Sequence, residues 1–313
     1  MSGPVVFFAA GEELWAEYAE PLRSALTGAG VAAELSLEAP APERVDYIVY
    51  APGSPLTDFR PFTRARAVLN LWAGVERIVG NPTLSIPLTR MVDPGLTEGM
   101  TEYVAGHVLR HHLGMDRFLA GQDGIWRHAA VPPLARDRTV AVLGLGELGS
   151  AAARALSGLG FRVLGWARGQ KDVPGVECRN GATGLRSVLN AAEILVMLLP
   201  HTAETEALLD AERLSWLPRG AVIINPGRGA LIDDAALLDA LDAGHIAHAT
   251  LDVFRTEPLP PEHPFWAHPC VTVTPHIAAE TRPASAARVI AENIRRGEAG
   301  EPLLYLVDRA AGY

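Results

Sequence analysis

Cysteine is almost absent from this sequence: Cys178 and Cys270 stand far apart, and no CxxC pair occurs. Two isolated thiols exclude a disulfide framework and suit a reducing compartment. Long apolar runs are also missing. The most apolar stretch, Ala191 to Pro200, is interrupted by Glu193 and is too short to cross a bilayer. The opening residues, Met1 to Ala10, carry no basic segment and read as a first strand, not a signal peptide. Cytoplasmic location is therefore expected. Positive charge is in deficit, with 27 basic against 36 acidic residues and a net charge of −9. That balance gives no general electrostatic reason to bind nucleic acid or an anionic membrane. Short repeats and low-complexity tracts are lacking too. His107 and His111 have the i, i+4 spacing of two metal ligands, with His112 alongside, but Val108 stands where HExxH needs its glutamate. No metal is expected.

A length of 313 residues exceeds the usual single-core size and predicts two domains. Short apolar runs alternate with helical patterns throughout. Val5–Ala10, Ala32–Leu37, Tyr47–Ala51 and Val68–Leu71 read as strands, Glu12–Ala29 as a helix, and a further helix is expected to begin near Pro61. Thr101–Leu113 reads as a long helix, followed by an arm rich in Trp and Pro from Gly121 to Leu134. A second series of strands follows: Thr139–Leu143, Arg162–Trp166, Ile194–Leu198, Ala221–Asn225, His248–Asp252 and Val271–Thr274. The clearest helices among them are Gly149–Leu159 and Asp233–Ala243, and Pro283–Gly297 closes the pattern. Near-continuous apolar strands between helices predict parallel sheets covered on both faces, an α/β chain with two Rossmann-like or flavodoxin-like domains.

The fingerprint Gly144-Leu-Gly146-Glu147-Leu148-Gly149 follows one of these strands and opens a helix of small residues. Gly144 permits a tight turn, Gly146 lets backbone approach a pyrophosphate, and Gly149 lets helix pack on strand. NAD sites usually place Asp or Glu at the end of the next strand, to accept from the adenosine 2′-hydroxyl. Here the chain runs Gly165-Trp-Ala167-Arg168-Gly-Gln170-Lys171, with no acid before Asp172. Arg168 and Lys171 are suited to a 2′-phosphate instead. NADP(H) is the expected cofactor, with NAD(H) an admissible second.

Three further signals follow in order: Asn225-Pro-Gly-Arg228-Gly229, then Leu251-Asp252-Val-Phe-Arg-Thr-Glu257-Pro258, then Thr274-Pro-His276-Ile277. Arg228 follows a strand at the end where open α/β sheets bind ligands. Its planar fork suits a carboxylate and a carbonyl oxygen together, and the contact strengthens as charge builds on that oxygen. His276 is suited to deliver the proton, and Glu257 to support the imidazolium and fix its orientation. Reduction of a 2-keto acid by a nicotinamide needs such a cation, acid and histidine.

This order of motifs resembles the D-isomer-specific 2-hydroxyacid dehydrogenase family, and within it the bacterial glyoxylate/hydroxypyruvate reductase A type. The resemblance runs along most of the chain, to the ending Val307-Asp-Arg-Ala-Ala-Gly-Tyr313. It implies a substrate-binding domain of residues 1–100 plus 286–313, a dinucleotide domain of residues 101–285, and a substrate cleft between them. It assigns Arg228, Glu257 and His276 to catalysis, with Arg228 and His276 also touching the substrate. It brings Ala167 and Pro200 to the cofactor together with the glycine loop, Arg168 and Lys171, and Asp252 to the nicotinamide carboxamide. The alternative for Asp252 is a turn cap. Trp72-Ala73-Gly74-Val75-Glu76 matches the family's carboxylate loop at Ala73 and Gly74 and departs from it at Trp72 and Glu76. The Trp72 indole either narrows the substrate pocket or belongs to the core.

The activity so implied is NADPH-dependent reduction of glyoxylate and hydroxypyruvate to glycolate and D-glycerate, in a homodimer formed through residues 103–134. Two alternatives stand beside it. One is a reductase of broader range acting on larger 2-keto acids. The other is a nucleotide-sensing co-repressor, against which the three intact catalytic positions weigh.

Overall fold

A computed structural model describes residues 3–38, 41–126 and 131–312. The chain forms two compact units, one of residues 3–96 with 280–312 and the other of residues 97–279. Each is built on its own wholly parallel sheet, as the alternating pattern predicts.

The first unit contains β1 (Val5–Phe8), α1 (Glu12–Gly28), β2 (Glu34–Ser36), β3 (Tyr47–Tyr50), β4 (Ala67–Asn70) and β5 (Leu88–Thr89), in sheet order β2-β1-β3-β4-β5. The period of two along the strands sorts their side chains onto two faces. Val6, Phe8, Tyr47, Val49 and Leu69 pack with Leu22 and Leu26 of α1 and with Ala287, Ile290 and Ile294 of the closing helix Pro283–Ala299. Val5, Ile48, Tyr50 and Val68 face the other way, onto Phe59, Phe62, Ile78 and Leu84.

The helix expected near Pro61 does not form; residues 56–66 run as turns. Asp58 accepts from the Arg60 amide and Thr83 Oγ1 from the Phe59 amide, at 3.0 Å each. Those side chains offer the backbone partners that a helix would otherwise supply. Phe59 and Phe62 still reach the core, through two successive turns.

α2 (Pro94–Leu113) starts seven residues before the expected Thr101. Asp93 Oδ1 accepts from the Leu96 amide at 3.1 Å, and Pro94 occupies the first helical position. That aspartate–proline pair was the overlooked start signal. Met100, Val104 and Val108, four residues apart, form the buried stripe of α2 in the second unit.

The second unit continues with α3 (Met115–Ala120), β6 (Thr139–Leu143), α4 (Glu147–Gly158), β7 (Arg162–Ala167), β8 (Glu177–Asn180), α5 (Gly181–Ala191) and β9 (Ile194–Met197). There follow α6 (Ala211–Ser215), β10 (Ala221–Asn225), α7 (Asp234–Asp242), β11 (Ile246–Leu251) and β12 (Val271–Val273), and the closing helix of the first unit is α8. The seven strands lie in the order β12-β11-β10-β9-β6-β7-β8. The chain thus starts in the middle at β6, builds outward to β8, then returns to β9 beside β6. This is the doubly wound arrangement, whose ligand crevice lies at the carboxyl ends of the strands where the order reverses. Of the arm between residues 121 and 134, residues 127–130 lie outside the described residues. Among the described residues no helix is long and apolar enough to cross a membrane.

Candidate functional site

The glycine loop links β6 to α4. Gly144 has φ of 101°, and a Cβ on it would stand 2.5 Å from the Leu198 carbonyl oxygen. Gly149 lies so close beneath the turn that a Cβ would stand 1.7 Å from the Gly144 carbonyl oxygen. Gly146 differs: nothing lies within 4 Å of the place where a Cβ would be, and both it and Glu147 are exposed. Gly146 caps α4 without any side-chain hydrogen bond, so the first-turn amides of Glu147 and Leu148 are left at an open helix start. Such a start favours an anion, through unbonded N–H groups and the helix dipole together.

Beside it, β7 ends at the buried Ala167, and the exposed Arg168 follows with Nη1 3.3 Å from Glu204 Oε2. Lys171 is exposed in the same loop. Pro200 begins the loop after β9, where its carbonyl accepts from Thr205 Oγ1 at 2.7 Å.

Three strand ends farther along the edge supply the other predicted residues. Asn225 closes β10 and shapes the next turn: its Oδ1 accepts from the Gly227 amide at 3.1 Å, and its Nδ2 donates to the Arg228 carbonyl at 2.9 Å. Gly227 approaches the Met197 carbonyl so closely that a Cβ would stand 2.8 Å from its oxygen. Arg228 is half-buried and donates Nη1 to the Gly227 carbonyl at 2.7 Å.

Asp252 follows β11 and has no exposed surface. Its Oδ1 accepts from Thr274 Oγ1 at 2.6 Å and from the Ile277 amide at 2.9 Å, and its Oδ2 from the Ala278 amide at 2.9 Å. The carboxylate expected at the nicotinamide carboxamide is therefore committed to the loop that carries His276. The Thr274 hydroxyl, having given its proton to Asp252, accepts from Tyr103 Oη at 2.8 Å.

His276 lies in the left-handed region at φ of 55°, where non-glycine residues are uncommon and cluster at functional sites. Its Nδ1 is 2.8 Å from Glu257 Oε2, and the other oxygen, Oε1, accepts from the Phe254 amide at 2.9 Å. Glu257 is thus oriented by backbone at one oxygen and meets the imidazole with the other. Both side chains remain in contact with solvent, at 34% and 50% exposure. That contact leaves the ring open to a substrate, with its orientation already set.

The histidines of α2 and β11 are used otherwise. His111 Nε2 meets Thr250 Oγ1 at 2.8 Å, and His248 Nε2 meets Thr272 Oγ1 at the same distance. Burial pushes His111 down to about 3 and lowers His107 and His248.

In the first unit, β4 ends at the buried Asn70, whose Nδ2 donates to the Trp72 carbonyl at 2.8 Å and the Gly74 carbonyl at 2.9 Å. Ala73 and Gly74 are half-buried in this loop, and Trp72 is 44% exposed. The indole is not a core residue.

Sequence reasoning overlooked Arg255, Thr274 and Tyr103, which touch these loops by side-chain contacts. Arg255 and Thr274 both lay within quoted motifs, where neither carries a sign of its contacts, and Tyr103 lay in none.

Comparison with known proteins finds relatives along most of the chain. The profile of the D-isomer specific 2-hydroxyacid dehydrogenase, NAD binding domain, matches residues 104–278. A glyoxylate/hydroxypyruvate reductase A of Salmonella typhi is 42% identical over 259 residues, covering 80% of this chain and 82% of that protein. A D-isomer specific 2-hydroxyacid dehydrogenase of Xanthobacter autotrophicus Py2, solved with NADPH and MES, superposes with a TM-score of 0.91 at 42% identity, over 100% of both chains. The NADPH-dependent glyoxylate/hydroxypyruvate reductase of Sinorhizobium meliloti, solved with NADP and sulfate, gives a TM-score of 0.85 at 36% identity, over 99% of this chain and 100% of that one.

Proposed function

This chain belongs to the D-isomer-specific 2-hydroxyacid dehydrogenase family, and from that premise we propose that it reduces small 2-keto acids, glyoxylate and hydroxypyruvate among them, with NADPH. The observation that carries the reading is the 2.8 Å contact of His276 Nδ1 with Glu257 Oε2 on two solvent-accessible side chains. A paired histidine that a solute can reach is a proton donor in waiting.

The residues present fit a dinucleotide. Gly146 leaves space above an uncapped helix start for a pyrophosphate, and Arg168 with Lys171 offers charge-assisted partners for a 2′-phosphate where an acid would repel it. When bound, the nicotinamide supplies the hydride. Arg228 binds the substrate carboxylate and its carbonyl oxygen, and holds the negative charge that grows there. Glu257 keeps the imidazole oriented through Nδ1, and His276 passes a proton from Nε2 to the carbonyl oxygen. Asp252 fixes the backbone that carries His276. Within the first unit, the loop Trp72-Ala73-Gly74 carries half-buried backbone at Ala73 and Gly74 and is that unit's candidate for binding an anion.

A homodimer fits the exposed apolar residues of the arm. Phe118, Leu119, Ile125, Trp126, Val131 and Leu134 are exposed within one sequence stretch, apolar surface of the kind a second copy would cover. Turnover with glyoxylate, hydroxypyruvate and a series of larger 2-keto acids, each with NADPH and NADH, tests the proposal. Absence of turnover with every 2-keto acid would overturn it.

A further inference from the structure

Arg255 stands between Asp252 and Glu257 but has no part in the chemistry described so far. Its guanidinium joins its own loop to two others. Nε and Nη2 donate to the Ile232 carbonyl at 3.2 and 2.8 Å, and Nη2 also donates to the Ala230 carbonyl at 3.3 Å. Nη1 donates to Glu206 Oε1 at 2.6 Å. Ala230 and Ile232 lie directly after Arg228, in and just beyond the single turn Gly229–Leu231. Glu206 lies in the loop after β9, and Arg255 itself in the loop after β11.

A second observation is independent of that side chain. Gly229 is packed so tightly that a Cβ on it would stand 2.1 Å from the Phe254 carbonyl carbon and 2.5 Å from the Arg255 nitrogen. The backbone following Arg228 therefore lies directly against the backbone leading to Glu257. On its other side the same turn is tied to the loop after β9, by the Ala207 amide to Ala230 and the Leu209 amide to Leu231.

We propose that Arg255 is a positioning residue that clamps the loop of Arg228 onto the loop of Glu257. The spacing between the substrate-binding cation and the acid–base pair is then held by this side chain, beside the backbone packing at Gly229. The inference rests on the roles proposed above for Arg228, Glu257 and His276.

The chemistry of the clamp favours arginine. A short turn ends in carbonyls without helical partners, and a guanidinium offers five N–H donors in one plane. An ammonium is a compact charge on a flexible stem and cannot meet Ile232, Ala230 and Glu206 in that arrangement. Hydrogen bonding from Arg255 keeps Glu206 below the usual carboxylate range, so the charged partner persists at neutral pH. Glu206 is itself held from the far side by His201 Nε2 at 2.5 Å. Positioning of this kind matters to rate because a displacement of about 1 Å at a reacting group costs on the order of 100-fold.

The test compares R255A, R255K and R228A with the parent enzyme. Steady-state kinetics with glyoxylate and NADPH are measured beside the NADPH dissociation constant and the melting temperature. R255A is expected to lose about 10- to 100-fold in kcat/KM for the keto acid, with NADPH affinity within about twofold of the parent. R255K is expected to recover little of the loss, and added guanidinium to restore part of the R255A rate. If R255A does not fold, R255Q, which keeps a donor for one carbonyl, is read in its place by the same criteria. A kcat/KM within about twofold of the parent in R255A would overturn the clamp, provided R228A is impaired. A parallel fall in NADPH affinity, activity and melting temperature, without guanidinium rescue, would also overturn it and leave Arg255 as a general support. Full activity in R228A would instead overturn the assignment beneath it, and the clamp with it.

Discussion

His276 is tied to Asp252 through backbone: its amide donates to the Asp252 carbonyl at 2.8 Å, while the Asp252 carboxylate takes the amides of the next two residues. Together these bonds hold His276 at its positive φ, a conformation that costs of order 1–3 kcal/mol and persists only where its surroundings enforce it. Asp252→Asn would turn an acceptor toward N–H groups with a donor of its own, leaving a buried amide unpaired. A loss of about 1–3 kcal/mol in urea-unfolding free energy is expected, with a fall in kcat. Unchanged stability and activity would show that the carboxylate does not hold this turn.

Glu257→Gln keeps the size and one acceptor of the side chain but removes its charge. The contact with Nδ1 then loses its ionic character and holds the ring less firmly, so Nε2 is presented to the carbonyl oxygen less often. A fall of about 10- to 100-fold in kcat/KM for the keto acid is expected, with NADPH affinity almost unchanged. An unchanged kcat/KM would mean that the 2.8 Å contact does not orient the ring. His276→Ala removes the donor itself and should cost roughly 100- to 10,000-fold.

Arg168→Ala tests the cofactor preference. A charge-assisted hydrogen bond contributes about 1.5–3 kcal/mol, but Arg168 is exposed and already faces Glu204 at 3.3 Å. A loss near the lower end, about tenfold in NADPH affinity, is expected, with NADH binding almost unchanged. Equal weakening of both would place Arg168 at the pyrophosphate or in the fold.

The histidines of the second unit predict how stability depends on pH. Burial, as the largest cause, pushes His111 down to about 3 and lowers His248, with Arg110 adding to both. Arg110, Asp116, His107 and His268 are the other charged or titratable groups that bear on this pair. Unfolded histidine titrates near 6.5, so below that pH the unfolded chain binds protons that the folded chain refuses. The stabilisation is therefore complete above pH 6.5 and is lost as pH falls toward 3. For His111 the slope is at most about 1.4 kcal/mol per pH unit, an upper limit that solvent screening lowers. Urea unfolding from pH 7.5 to 4.5 should show the fall, and His111→Gln should flatten it. A slope unaltered by that substitution would assign the effect to other groups.

Much of this fold could be read from local signals. The strands β6, β9 and β10 are continuous apolar runs because helices cover both of their faces, and Gly144 to Gly149 is bounded by strand and helix as its motif requires. The edge strand β8 left no such trace: Glu177-Cys-Arg-Asn is mostly exposed and charged, so neither alternation nor apolarity marks it. The turns around Pro61 were misread because Asp58 and Thr83 satisfy backbone groups in a way visible only once the chain is folded. Chemistry was more legible than support. Arg228, Glu257 and His276 stand in motifs, whereas the contact of Arg255 with Glu206 joins residues 49 positions apart and follows from no local pattern.

Trp72 offers the most direct test of substrate range. It occupies a position that is small in the family's carboxylate loop, its carbonyl accepts from the buried Asn70 and from the Met91 amide, and its ring is 44% exposed. The backbone is thus fixed from both sides while the indole projects free of the core. If that ring walls the substrate pocket, Trp72→Ala should raise kcat/KM for bulky 2-keto acids relative to glyoxylate. Room for one methylene changes selectivity by about 1–3 kcal/mol, roughly 10- to 200-fold, well within reach of a competition assay. Because the ring makes little core contact, the melting temperature should change by no more than a few degrees. An unchanged substrate ranking in a folded variant would remove Trp72 from the pocket and return the choice of substrate to Arg228 and the Ala73-Gly74 amides.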